Sequence, residues 1–143
     1  MSRMFPLAGL LRLRQIQEEK AAGELASANA RSRELRARQA RMRDGLGSTS
    51  ATPTSTTVLY AVAAARASSR SMLAELDALD SEHQPVLDQA NEVFAQARAR
   101  SIGLEKLAGR HQEQQAEEEL HAEQAAIDEM ASNGWQRNEE ETP

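Results

Sequence analysis

Apolar residues return in steps of four and three along the first third of the chain: Leu7, Leu11, Ala21, Leu25, Ala28, Leu35, Met42 and Leu46. That heptad spacing predicts one helix over 4–44 whose apolar stripe faces another helix. Four of the twelve stripe positions are polar, namely Arg14, Glu18, Ser32 and Gln39. The stripe is therefore weak, and this segment alone is not expected to hold a stable dimer. Pro6 falls in the first turn, where its missing N–H costs nothing. Residues 45–57 break the pattern with Gly45, Gly47, Pro53 and a crowd of Ser and Thr, and they predict a loop. Gly45 suits the left-handed residue that closes a helix. Ser55, Thr56 or Thr57 supplies an oxygen to cap the next one.

A second helix is predicted over 58–133. Its stripe reads Val62, Ala65, Met72, Leu76, Leu79, Val86, Ala90, Val93, Ala97, Leu104 and Leu107. Pro85 lies inside and is expected to kink or break it. Past Leu107, Leu120 and Ile127 fall one residue off the register, which predicts local unwinding or a change of packing partner. Asn133-Gly134 reads as a stop, and 135–143 as a disordered acidic tail. The fold expected is all-α: an antiparallel two-helix coiled-coil hairpin over 1–134, its second helix longer and kinked near Pro85. At 1.5 Å per residue the helices span ~60 and ~115 Å. Residues near 5 are then expected opposite residues near 95, with those beyond 100 overhanging.

Composition narrows the function. Aromatics are 3% of 143 residues and Ala dominates the apolar share, so little area per residue is available for a thick core. Absence of cysteine excludes disulfides, thiol catalysis and Cys-based zinc sites. No run approaches the roughly 20 apolar residues of a membrane span. The apolar start, interrupted by Arg12 and Arg14, does not read as a signal peptide. A cytoplasmic helical protein is the expectation. Charge is segregated: residues 1–47 sum to +5, 48–100 to −2 and 101–143 to −8. Such a field suits oriented association with partners.

No constellation reads as a catalytic site. The arginines Arg31, Arg33, Arg36, Arg38, Arg41 and Arg43 spread around most of the helix and leave only the sector of Leu35, Met42 and Leu46. They read foremost as a solvated exterior, then as a site for an acidic partner. Nucleic acid is disfavoured because no aromatic is interleaved. The acidic run Glu113, Glu117, Glu118, Glu119, Glu123, Asp128 and Glu129 reads as a solvated face or a docking surface for a basic partner. His83, His111 and His121 lack metal-ligand spacing, and the first two fall on stripe positions. No cofactor, metal or small-molecule substrate is expected.

Phe5-Pro-Leu-Ala-Gly-Leu-Leu-Arg-Leu-Arg14 and Glu18-Glu19-Lys20-Ala21-Ala22 resemble the opening of the flagellar export protein FliJ family. Phe94, Ala97-Arg98, Leu104-Glu105-Lys106-Leu107 and the close Ile127-Asp128-Glu129-Met130-Ala131 resemble its second half. The resemblance covers nearly the whole chain. It implies a non-catalytic coiled coil of the type III flagellar export apparatus, serving flagellum assembly, motility and chemotaxis from the cytoplasmic face of the cell membrane. It implies three partners: the export ATPase ring, engaged like the stalk of a rotary ATPase, the membrane export gate, and export chaperones. The gate-contacting face would fall near Ala65, Ser69, Met72 and Leu76, although the family's aromatic is absent there. The partner-binding residues expected are Leu7, Leu11, Met72, Leu76, Leu104, Glu105, Leu107, Asp128 and Glu129. A generic coiled-coil scaffold or another stalk-like protein is the alternative.

Overall fold

Two helices form where the heptads run; the first starts and ends four residues later than the pattern predicts, and the second runs further at both ends. The structure, a computed structural model, describes residues 3–49 and 52–140, with side chains through Arg137. Helix α1 spans Ala8–Ser48 and helix α2 spans Thr56–Glu140. Asn133-Gly134 does not stop α2, and Trp135 to Glu140 are helical. The rest of the expected tail, 141–143, lies outside the described residues.

Gly45 does not close α1. It sits inside the helix, and no glycine among the described residues has a positive φ. Side chains satisfy the terminal carbonyls instead. Ser48 Oγ and Thr49 Oγ1 donate to Gly45 O at 3.2 and 2.7 Å. Arg66 Nη2 of α2 donates to Thr49 O at 3.1 Å, placing a cation at the negative end of the α1 dipole. Ser55 is the cap of α2, its Oγ accepting from Val58 N at 3.2 Å.

The chain divides into two compact units, Ile16–Arg98 and Met1–Gln15 with Ala99–Pro143. In the first, α1 and α2 run antiparallel. Gln39 Nε2 donates to Asp77 Oδ1 at 2.9 Å, His83 Nε2 donates to Ala28 O at 2.8 Å, and Arg98 Nη1 donates to Glu18 Oε1 at 2.6 Å. Each α1 position thus lies opposite an α2 position numbered close to 116 minus its own. In the second unit the segment ahead of α1 lies against α2. The Phe5 ring lies 5.6 Å from that of His111, and His111 Nε2 donates to Arg3 O at 3.0 Å. Phe5 therefore faces residue 111 and not the region of 95. The reason is local to the turn. Residues 56–61 of α2 are all exposed, and the first α2 residue drawn into the pairing is Val62.

The α1 seam follows the expected heptad, polar members included. Ala21, Ala28 and Leu35 are buried, and so are Ser32 and Gln39. Burying a glutamine without partners is costly, and the bond to Asp77 removes most of that cost. The α2 seam differs from the expectation. It shares Val62, Leu76, Ala90, Ala97 and Leu104, but its alternate members are Leu73, Asp80, Leu87, Phe94 and Ser101. Met72, Val86, Val93 and Leu107 are left exposed, Met72 at 51% and Val86 at 56%. Two adjacent apolar ridges compete for one facing helix, and a single helix covers only one. The ridge with Phe94 and two leucines buries more area and keeps Arg100 in water.

Pro85 does not break α2. It removes the hydrogen bond to Ser81 O, yet both residues are exposed, so the freed carbonyl meets solvent. Pro85→Ala is expected to stabilise the Ile16–Arg98 unit by up to ~3 kcal/mol, read as a higher thermal midpoint. An unchanged or lower midpoint would mean that proline is matched to this helix.

Candidate functional site

The functional features among the described residues are the faces left uncovered by the pairing. The unit Ile16–Arg98 carries a groove along one side. Arg38, Arg41 and Met42 of α1 form one wall, and Met72, Leu76 and Leu79 of α2 form the other. Further along the same side a second recess lies between Lys20, Gly23 and Ser27 of α1 and His83 and Val86 of α2. The uncovered ridge supplies the α2 wall of both, so the recesses follow one line.

The basic walls are partly engaged. Arg38 donates to Glu34 Oε1 at 2.8 Å, and Arg31 lies 3.4 Å from Glu34 Oε2. Arg43 lies 3.8 Å from Asp77 Oδ1. Arg41 has no ion-pair partner among the described residues. These pairs are roughly half exposed, so each adds little to stability and leaves the local field positive.

The unit of Met1–Gln15 and Ala99–Pro143 carries a different face. Among the described residues the last hydrogen bond across the pair is at Gln115, whose Oε1 accepts from Arg3 N at 3.1 Å. From Ala116 to Arg137 every described side chain is exposed, including Leu120, Ile127, Met130 and Trp135. The expected overhang thus begins at 116, not at 100. The out-of-register Leu120 and Ile127 mark where α2 stops facing α1. Ser101, fully buried in the seam of this unit, has a hydroxyl without a partner.

The residues singled out in the sequence do not form one site. Met72 and Leu76 share the groove wall. Leu11 and Leu104 are half-buried seam residues that the register places opposite each other. Leu7, Glu105 and Leu107 are exposed, as are Asp128 and Glu129 on the unpaired segment. The reading missed Val86 and Val93 as surface residues, because alternating steps of four and three fit two ridges. Phe94, the one aromatic of the paired helices' middle, was the signal that separates them.

His83 and His111 do fall on the seam. Each ring donates from Nε2 to a backbone carbonyl, His83 to Ala28 of α1 and His111 to Arg3 ahead of α1, which fixes the tautomer because a carbonyl only accepts. No group of three metal-binding side chains converges among the described residues. No helix among them is long and apolar enough to cross a membrane.

An antiparallel pair of heptad helices, with a polar-punctuated seam and uncovered apolar faces, defines a coiled-coil interaction protein. The model of the flagellar FliJ protein family matches residues 3–140, nearly the whole chain, and the chain belongs to that family. It is accordingly a component connected with flagellar export. No curated protein and no solved structure matches it.

Proposed function

We propose that this chain is a non-catalytic, stalk-like coiled coil of the flagellar export apparatus that engages the export ATPase ring and the export gate. What carries the reading is the family match over residues 3–140, joined to faces that the helix pairing leaves free. A protein that couples two partners needs separate surfaces, and the groove and the unpaired segment are separate surfaces. Met72 and Leu76 take the gate contact, because they wall the groove near the start of α2. Leu107, Glu105, Asp128 and Glu129, with Leu7 on α1, take the ATPase contact. Leu11 and Leu104 support that face from within the seam. Export chaperones are further partners, and the protein works in the cytoplasm at the membrane face. Binding biases the ring through unequal affinity for its states.

The test is capture. Immobilised full-length chain is expected to retain the export ATPase and, separately, the cytoplasmic domain of the gate protein. Met72→Asp is expected to lose the gate domain and keep the ATPase. Retention of neither partner by the wild-type chain would leave a generic scaffold as the better reading.

A further inference from the structure

We propose that the groove of the Ile16–Arg98 unit seats an acidic amphipathic helix, and that its occupant in the isolated protein is the unpaired α2 segment 116–131 of a second copy. This goes beyond the export role and does not depend on it.

The seat has the form of a missing third helix. On α2, Met72, Leu79, Val86 and Val93 recur every seven residues beside the seam, and three of the four are exposed. Leu79 is half-buried. A seven-residue repeat of apolar side chains is the spacing that a coiled-coil partner reads. The opposite wall carries Arg38 and Arg41, with Glu75 across from them on α2. Residues 31–43 of α1 hold six arginines against one acid, Glu34, spread around the helix, so the field of this part of α1 is positive.

The segment offered by the second copy matches in both respects. Ala116, Leu120, Glu123, Ile127 and Met130 follow steps of four and three along one side, and all are exposed. At 100° per residue, Glu119 lies along one edge of that stripe, Glu117 and Asp128 flank the other, and Glu123 sits within it. Residues 113–131 hold seven acids and no Lys or Arg, a charge of −7. That charge argues against two such segments pairing with each other, since like charges would face across the seam. It favours the arginine-bearing stretch of α1 instead, where Arg38 and Arg41 line the groove. An unpaired helix of this length is marginal in water, so seating it also supplies order.

The contact is heterologous: groove of one copy, segment of another. It can therefore be tested by complementation. The full chain is followed by sedimentation velocity over a range of concentrations, from ~0.05 to ~1 M salt. Self-association is expected at low salt, weakened at least ~10-fold at high salt as exposed charges are screened. Arg38→Glu/Arg41→Glu disables the groove, and Leu120→Asp/Ile127→Asp disables the segment. Every substituted residue but half-paired Arg38 is free at the surface, and circular dichroism checks that helicity is kept. Each double variant alone is expected to sediment as a monomer. Their equimolar mixture is expected to associate, because one brings an intact segment and the other an intact groove. A wild-type chain that stays monomeric at low salt overturns the proposal. So does a mixture that stays monomeric, or association that strengthens with salt, which would mark apolar pairing of like faces.

Discussion

Replacing Leu35 by alanine is expected to cost the Ile16–Arg98 unit about 3 kcal/mol, and replacing it by aspartate to prevent folding of that unit. Leu35 is 1% exposed and is the largest apolar side chain fully buried among the described residues. Around it the α1 seam is built of Ala28, Ser32 and Gln39, none of which buries much apolar area. Truncating a buried leucine costs roughly 2–5 kcal/mol, the sum of lost transfer energy and the cavity left behind. A charged group placed there has no cation within the seam to pair with, so its burial cost is unrelieved. Chemical denaturation followed by helical signal measures both. A loss under ~1 kcal/mol for Leu35→Ala would mean that the helices slide and refill the gap, as loosely specified coiled coils do.

The second large effect is functional. Leu107→Asp combined with Asp128→Lys and Glu129→Lys is expected to abolish swimming while leaving the thermal midpoint unchanged. All three residues are exposed, and none holds the seam. Surface substitutions away from packed features change stability by about 0.5 kcal/mol or less. Lost motility with unchanged stability would thus locate a partner contact. Swimming at the wild-type rate, with the variant present at normal abundance, would remove these residues from the proposed ATPase face.

Much of the fold is legible in the sequence, and the places where it is not have physical causes. The α1 heptad survives polar members that find partners across the seam, as Gln39 finds Asp77 and Glu18 finds Arg98. The loop boundaries shift because Gly45 is only permissive of a turn. Ser48, Thr49 and Arg66 satisfy the final carbonyls without one. The α2 register is ambiguous in one dimension: Leu79, Val86 and Val93 look as good as Leu73, Leu87 and Phe94 until a facing helix must choose. The phase slip at Leu120 suggests local unwinding or a new packing partner, but α2 runs on as a helix there and Leu120 and Ile127 are exposed. The candidate residues scatter for the same reason. A stripe position and a surface position one residue apart carry the same kind of side chain.

That ambiguity is also what gives the molecule its surfaces. A helix with one apolar ridge would be used up in the hairpin. With two ridges, α2 pairs through the first and leaves Met72, Val86 and Val93 for another helix. The exposed ridge and the unpaired acidic segment together suit a protein whose work is contact with others.

The claim that this chain serves flagellar export is tested most directly by deleting its gene and measuring flagellar proteins released into the culture medium. The account predicts that release and swimming both fall sharply, and that both return when the full chain is supplied. A deletion strain that exports and swims like its parent would contradict it.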